Sequence, residues 1–307
     1  MAQITAALVK ELRGRTSAGM MDCKKALTET DSDLEAAVDW LRKKGIAKAD
    51  KKAGRIAAEG VVALALDGTT GALVEVNSET DFVARNENFQ AIVSEIATLG
   101  LSANSVDALR EAQTSAGVSV GEHLTNLVST IGENVSLRRC ARQTVGTGIV
   151  SGYIHNAVAD NMGRIGVLVA LESDGRADRL DDLGRKIAMH IAAMSPLALH
   201  VDDLDADLVA GERNILIEEA RESGKPDNII ERMVDGRMKK FFGESTLMTQ
   251  MFVMDTDRSI EQVIADEARS MGSHINITGY SRLELGEGVE KKEEDFAAEV
   301  AAAVTGQ

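Results

Sequence analysis

The sequence is poor in cysteine, aromatic residues and long apolar runs, and each shortage excludes a class of protein. Cys23 and Cys140 are its 2 cysteines and form no Cys-x-x-Cys pair, so neither a disulfide framework nor a cysteine zinc site is indicated. No stretch approaches the roughly 18 apolar residues of a membrane span, and Lys10 and Glu11 interrupt the amino terminus before any export signal builds up. We therefore expect a cytoplasmic protein that does not bind membranes.

Positive charge is also scarce. The chain has 34 Lys and Arg against 49 Asp and Glu, a formal net charge of -15, which repels phosphate backbones. Residues 1–54 are the exception, with 11 Lys and Arg against 8 Asp and Glu. Their basic run from Arg42 to Arg55 has no aromatic neighbour except Trp40 for base stacking, so a solvated linker is favoured over a nucleic-acid patch.

Familiar catalytic and ligand-binding motifs are missing as well. Gly117-Val118-Ser119-Val120-Gly121 matches the Gly-x-Ser-x-Gly pattern, but no buried strand precedes it, so a hydrolase built on Ser119 is rejected in favour of a flexible connection. No phosphate-binding loop occurs, and the five His residues lack ligand spacing. We therefore expect no catalytic residue, metal site or cofactor. His190 shares a helix face with Ile187 and Ile191 and is expected to be a core or interface histidine rather than a base. His155 begins a predicted turn and is expected to be exposed at an edge that a partner could reach.

The apolar spacing predicts an α+β fold that begins with a three-helix module. Its third helix has a capping-box pattern at Ser32-Asp33-Leu34-Glu35, and the module ends at Gly45. A Lys- and Ala-rich linker follows over residues 47–58. In outline this module is similar to ubiquitin-associated domains.

From Gly60 the pattern predicts two repeated α+β subdomains with small antiparallel sheets. The first has strands at 61–66 and 72–76, a helix at 88–99 and a third strand at 131–141, with residues 100–121 as a loosely packed connection. The second has a strand at 148–154, a turn at 155–164, a strand at 165–171 and a helix at 177–194.

The remaining pattern predicts a helical hairpin over residues 204–240, broken at Ser223-Gly224-Lys225-Pro226, with a coiled-coil seam of Leu208, Ile215, Ile229 and Met233. The chain then returns to the sheet at 247–254 and 275–285 around a helix at 260–270. A final amphipathic helix over residues 295–304 is expected to dock either on the body or on a partner. The predicted domains are 1–54, 55–145, 146–199 with 241–287, the inserted hairpin 200–240, and 288–307.

One stretch, Val74 to Val83, stands out because it ends a predicted strand with Ser-Glu-Thr-Asp-Phe. With 6 Phe, 2 Tyr and 1 Trp in the chain, an aromatic residue at a strand-to-helix turn needs an explanation. Phe82 either belongs to the core behind a cap at Thr80, or it probes a partner. The second repeat makes its turn without such an insert, which favours the partner and predicts that Phe82 is exposed.

Two stretches resemble the signatures of the elongation factor Ts family. Residues 12–27 read LRGRTSAGMMDCKKAL, and residues 76–84 read VNSETDFVA. Three shorter matches follow in the family's order: Ile131-Gly132-Glu133-Asn134, Arg237-Met238-Lys239-Lys240 and Asp295-Phe296-Ala297-Ala298-Glu299-Val300.

The resemblance implies a guanine-nucleotide exchange factor that binds elongation factor Tu in its GDP-bound and nucleotide-free states. It implies that Thr80, Asp81, Phe82 and Val83 displace the partner's magnesium ion. The further partner-binding residues that it implies are Arg13, Met20, Met21, His155, Val253, Met254 and Phe296. A homodimer through the core stays open, and so does a different function, a non-catalytic adaptor that uses the three-helix module and the hairpin.

Overall fold

The computed structural model describes residues 4–16, 18–222 and 225–289. Its amino-terminal part consists of the helices α1 (Ala6–Thr16), α2 (Met20–Glu29) and α3 (Leu34–Asp50). They pack on one another through a small core, as the apolar spacing predicts. Its buried members are Leu12, Cys23, Ala26, Leu27 and Ala37.

The third helix differs from its prediction at both ends. Its N-cap is Asp33 rather than Ser32, because the Asp33 side chain accepts the Ala36 N–H at 3.0 Å. The helix also continues through Gly45, so the predicted end there is wrong. Gly45 is buried against residues 120–131, where the Ser129 hydroxyl donates to the Gly45 carbonyl at 3.2 Å. This glycine provides room for a neighbouring helix rather than a stop.

The first half of the core begins with the strands β1 (Glu59–Asp67) and β2 (Thr70–Ser78). The helices α4 (Asp81–Ala84), α5 (Glu87–Gly100), α6 (Val106–Glu111) and α7 (Val120–Ile131) follow, and β3 (Val135–Thr144) returns antiparallel to β2. The sequence reading missed α7. Ser119 caps this helix by accepting the Glu122 N–H at 3.2 Å, and Gly132 ends it with a φ of 90°.

The second half repeats the hairpin with β4 (Gly148–Ala159) and β5 (Met162–Glu172), followed by α8 (Ala177–Met194) at its predicted bounds. The predicted turn over residues 155–164 is wrong, since both strands continue through most of it. The connection is the two-residue turn Asp160-Asn161, and Asn161 adopts a φ of 56°. Asn tolerates this left-handed conformation better than most residues, which suits a tight hairpin.

The inserted hairpin consists of α9 (Ala206–Glu222) and α10 (Asp227–Ser245). The hairpin is as expected, but its predicted seam is wrong. Leu208, Ile215 and Ile229 are 44%, 54% and 42% exposed. The buried contacts lie one position further along the chain, at Leu216, Ala220, Ile230, Val234 and Met238.

After the hairpin, β6 (Met251–Phe252) and β7 (Asp255–Ser259) form a separate two-stranded sheet. The expected return of residues 247–254 to the main sheet is therefore wrong. The helix α11 (Ile260–Met271) and the strand β8 (Asn276–Glu284) follow, and β8 pairs with β5 as expected for residues 275–285. The predicted helix over residues 295–304 lies outside the described residues, and the proposed domain boundaries stay predictions.

The core has a layered arrangement that explains its long apolar strands. Val61, Ala63, Val74 and Val76 pack toward α5 and α7, while Val167, Val169 and Leu171 pack toward α8 and α11. The alternate residues of the same strands form a middle cluster between the two halves of the sheet. Its members include Val62, Leu64, Leu73, Val150, Leu168 and Ala170.

Two glycines allow the halves to approach closely. A Cβ at Gly166 would lie 2.7 Å from a methyl group of Leu73, and one at Gly71 would lie 2.7 Å from a methyl group of Leu168. Edge pairing of β1 with β5 then joins both halves into one six-stranded sheet. The α+β fold class is confirmed. No helix in the described part of the chain is long and apolar enough to cross a membrane.

Candidate functional site

The segment from Thr80 to Val83 lies shortly after β2, with Thr80 as the N-cap of the one-turn helix α4 and Asp81 to Val83 within that helix. Val83 and Ala84 are each 4% exposed and anchor this turn in the apolar cluster that β1 and β2 form with α5 and α7. The Phe82 side chain, in contrast, is 75% exposed. The predicted exposure of Phe82 is confirmed, and the alternative of a core aromatic is wrong. A phenyl ring held outward from a short, anchored turn is available to another molecule.

Thr80 is held from outside its own helix. It occupies the N-cap position of α4, but its side chain makes no capping hydrogen bond. Instead the Thr80 hydroxyl donates to Glu133 Oε1 at 2.7 Å, and the Thr80 N–H donates to Glu133 Oε2 at 2.9 Å. One carboxylate therefore fixes both donors of the residue at which α4 begins.

A second link joins the segment after β2 to the loop before β3, and here the carboxylate comes from the first segment. Glu79 Oε1 accepts the Asn134 N–H at 2.6 Å, and the Arg55 guanidinium lies 3.4 Å from the same carboxylate. The β2–β3 ladder ends with the pair Ser78 and Val135. Side chains thus continue the connection for two residues beyond the last backbone pair.

Asp81 lies beside the exposed ring and is itself exposed. Arg85 approaches its carboxylate at 3.6 Å, with both side chains more than half exposed. Such a pair contributes little to stability in water. The charge of Asp81 therefore remains accessible to polar groups near a docked ring.

Beneath this segment, β2 carries a fully buried carboxylate at Glu75. Its oxygens accept bonds from Arg138 at 3.1 Å and from the Gly286 N–H at 2.9 Å, and Arg139 and Asn77 complete the shell. Burial alone would raise the pKa of Glu75, but the Gly286 N–H and the Arg139 and Asn77 side chains stabilise the carboxylate more strongly and hold its pKa below its ordinary value. This network ties β2 to β3 and to the end of β8.

The amino-terminal module presents a second group of predicted contacts. Met20 and Met21 are 61% and 76% exposed at the first turn of α2, and Arg13 is exposed on α1. Leu12, just before Arg13, and Cys23, two residues after Met21, are fully buried and pack the two helices together. Adjacent exposed Met side chains form an adaptable apolar surface.

His155 is exposed as predicted, but it lies within β4 rather than in a turn. Its Nδ1 lies 3.1 Å from the Tyr153 hydroxyl, which is on the same face of the strand two residues earlier. The strand and this contact together give the imidazole a defined position.

Val253 and Met254 occupy the turn between β6 and β7 and are 39% and 47% exposed. The fully buried His190 holds this turn from below. Its Nδ1 accepts the Val253 N–H at 3.3 Å, so Nε2 carries the proton and donates to Gln250 Oε1 at 2.9 Å. Gln250 in turn donates from Nε2 to the Glu244 carbonyl at 2.6 Å.

Burial lowers the pKa of His190 below the ordinary imidazole value, and the bond to Gln250 offsets only part of that effect. The neutral ring is required here, because a protonated Nδ1 can no longer accept the Val253 N–H. The expectation of a core or interface histidine is confirmed, with His190 in the core.

The predicted contact residues thus lie on four separate parts of the described chain: α1 with α2, α4, β4, and the β6–β7 turn. Phe296 lies outside the described residues. Cavities of about 310 and 620 Å³ lie elsewhere, around His274 at the end of α11 and the start of β8. Whether the predicted residues bind a partner stays a prediction at this point.

Sequence reasoning missed the residues that hold these contacts in place. Glu133 and Asn134 lie within the Ile131–Asn134 motif, which resembles the family but does not by itself indicate a role for either side chain. Gln250 has no motif at all, and its contact with His190 joins residues 60 positions apart.

The rejected hydrolase motif has a structural role. Ser119 is the N-cap of α7, so its hydroxyl accepts a backbone N–H instead of facing a catalytic base. In the described residues, no group of three or more His, Cys, Asp or Glu side chains is arranged to hold a metal ion.

The molecule is thus an α+β protein that holds several exposed apolar side chains on anchored turns. Comparison with known proteins identifies its family. Residues 79–287 match the family model described as Elongation factor TS. The chain is 58% identical over 308 residues to "Elongation factor Ts" of Maricaulis maris, with 99% of each chain covered.

Two further relatives carry the same name. The chain is 58% identical over 305 residues to the protein of Sphingopyxis alaskensis, with 99% of each covered, and 56% identical over 308 residues to that of Rhizobium leguminosarum, with 100% of each covered. The chain belongs to the elongation factor Ts family, and hence to the elongation factors of protein biosynthesis.

Proposed function

We propose that this chain is a guanine-nucleotide exchange factor that binds elongation factor Tu in its GDP form and promotes GDP release during translation elongation. Family membership supports the partner and the step. The single observation that supports the mechanism is the Phe82 ring, 75% exposed on a turn that is anchored on both sides. The chain acts by binding and performs no covalent chemistry of its own.

In this mechanism the segment Thr80–Val83 displaces the magnesium ion of the partner. Magnesium bridging phosphate oxygens is among the largest local charges in such a site, so moving its ligands weakens GDP binding. The Phe82 ring enters between elements of the GTPase and shifts them, while Asp81 holds or repels polar groups nearby. The turn can shift elements of the partner without being displaced itself, because Val83 and Ala84 fix it to the core.

The other exposed residues supply binding energy at a distance from the ring. Arg13, Met20 and Met21 form one contact, and His155 and the Val253-Met254 turn form two more. Because the factor prefers the nucleotide-free conformer, its binding energy opens the site. By linkage, incoming GTP weakens the grip of the factor on its partner to the same degree.

Three finer points accompany the proposal. The cytoplasm is the expected location, since translation elongation takes place there. Phe296 is proposed as an additional contact of the carboxyl-terminal segment. A homodimer through the core helices stays a prediction that sedimentation of the purified chain will decide.

The test is release of a fluorescent GDP analogue from purified elongation factor Tu, with and without this chain. We expect strong acceleration by the parent chain and a loss of roughly 100-fold in the limiting rate for Phe82→Ala, with much of the binding retained because it is spread over several surfaces. The matched control is Leu197→Ala, since Leu197 is 60% exposed and has no proposed role.

Two outcomes would contradict the proposal at different levels. No acceleration by the parent chain would reject exchange activity and leave the adaptor hypothesis. If Phe82→Ala accelerated GDP release as fast as the parent, insertion of the Phe82 ring would be rejected as the mechanism. Exchange activity itself would stand.

A further inference from the structure

We propose that Glu133 is a positioning residue for the Thr80–Val83 segment and acts by holding Thr80 rather than by touching the partner. The inference rests on the proposed function, because it explains how the phenyl ring is presented for GDP release. It starts from the two hydrogen bonds that join Thr80 to Glu133.

A single carboxylate receives both hydrogen-bond donors of Thr80, at 2.7 and 2.9 Å. Bonds to an ionised acceptor are roughly twice as strong as neutral ones, and two bonds to one residue fix its direction as well as its position. Thr80 is the point at which the chain leaves β2 and enters α4. Glu133 therefore sets the angle at which the turn begins.

That angle decides where Phe82 points. A helix of one turn has no stability of its own, so its orientation depends on what holds its two sides. Val83 and Ala84 are held by the apolar core, and Thr80 by Glu133. If Thr80 were released, the turn could rotate about its apolar anchor and fold the ring onto the protein's own surface, where apolar area leaves water.

Glu133 can act as a fixed point because its loop is itself held. Gly132 ends α7 in the left-handed region, with a φ of 90°, and its carbonyl accepts a bond from the Lys52 amine. The Asn134 side chain donates to the Arg55 carbonyl at 2.8 Å. The loop is thus pinned to the segment that links the amino-terminal module to the core.

The first test measures the rate of GDP release at increasing concentrations of the factor. It yields two quantities, the limiting rate and the factor concentration at which half of that rate is reached. We expect Glu133→Gln, which keeps the shape but replaces one acceptor by a donor, to lower the limiting rate about tenfold. The half-saturating concentration should change little. Glu111→Gln, on the exposed face of α6, is the matched control and should keep the parent rate.

A double substitution tests whether Glu133 acts through the ring. In a Phe82→Ala background, Glu133→Gln should cause no further loss of rate. A full tenfold loss in that background, or an effect confined to the half-saturating concentration, would overturn the inference.

Hydrogen exchange of the free protein gives a readout that does not depend on exchange activity. The Thr80 amide should be protected in the parent chain and in Glu111→Gln, and should lose protection in Glu133→Gln while the amides of the β2–β3 ladder keep theirs. Unchanged protection of Thr80 would overturn the inference, whether or not the parent chain accelerates GDP release. A parent chain without acceleration would reject the proposed function alone.

Discussion

Two short turns in this molecule present apolar side chains to solvent, and they are held in opposite ways. The turn at Phe82 is fixed at its edge by the partly accessible carboxylate of Glu133. The turn at Val253 and Met254 is fixed from beneath by the fully buried, neutral ring of His190. Each anchor comes from a segment distant in sequence, so neither turn is a local structure.

The difference follows from what lies behind each turn. The first turn follows strand β2, in which Glu75 forms a buried ionic network with two arginines. Carboxylates and cations therefore already lie close together at this edge of the sheet. The second lies over the core of α8 and α11, where an unpaired charge would be destabilising and a neutral imidazole can be satisfied by an amide and a backbone N–H. Substitutions at Glu75, His190 and Phe82 test this contrast by stability.

The largest effect is expected for Glu75→Ala. Removing the carboxylate leaves two arginines and the Gly286 N–H without their buried partner, which should lower the free energy of unfolding by about 3–5 kcal/mol. Urea denaturation measures this loss. A value near that of a surface substitution would show that the network does not support the first turn.

The isosteric Glu75→Gln variant serves as its control and tests the pH dependence. Because the folded pKa of Glu75 lies below the unfolded one, its contribution is complete above the ordinary carboxyl pKa and is lost as the pH falls through the lowered value. The difference in unfolding free energy between parent and Glu75→Gln should therefore shrink on acidification. A difference in unfolding free energy that stays constant as the pH falls would contradict the network assigned to Glu75.

A smaller effect is expected for His190→Ala, which opens a cavity and leaves the Val253 N–H and Gln250 unsatisfied. We expect a loss of about 2–4 kcal/mol in the free energy of unfolding. Since the folded pKa of His190 is depressed, the contribution of the parent histidine is complete above the ordinary imidazole pKa and declines as the pH falls below it. The variant should lack this decline in pH-dependent thermal unfolding; an unaltered profile would mean that His190 does not hold the turn.

The smallest effect is expected for Phe82→Ala. Since the ring is largely exposed, its removal should change the free energy of unfolding by no more than about 0.5 kcal/mol. Thermal unfolding measures this, with Phe89→Ala as the buried counterpart that should lose about 3–5 kcal/mol. A stability loss of similar size for both would mean that Phe82 packs on its own chain in solution.

The sequence predicted elements whose apolar spacing is long and regular, such as α8, whose bounds are as predicted. It also predicted the exposure of Phe82, because the rarity of aromatic residues and the plain turn of the second repeat both favoured it. The seam of the hairpin was placed one residue early, because charged residues on every side of α9 leave little to set the phase. Gly45 resembles a helix end in the sequence because the apolar spacing does not predict its packing partner, α7.

The anchors of the two turns lay beyond such reasoning for a different reason. The bonds of Glu133 and Gln250 join residues 53 and 60 positions apart, and no periodicity within either segment records the other. Sequence patterns describe which face of an element is buried. They do not describe which polar group reaches across from another element.

The middle cluster between the two halves of the sheet has a consequence for how the chain can be divided. Val62, Leu64 and Leu73 come from one half, and Val150, Leu168 and Ala170 come from the other, so each half contributes one wall of a shared interior. A chain cut near Gly146 would yield two fragments, each with an apolar sheet face that matches the other. We expect each fragment to be insoluble alone and the two to assemble when they are expressed together. The fold would then serve as a split protein, whose recovery in soluble form reports that the two fragments have associated.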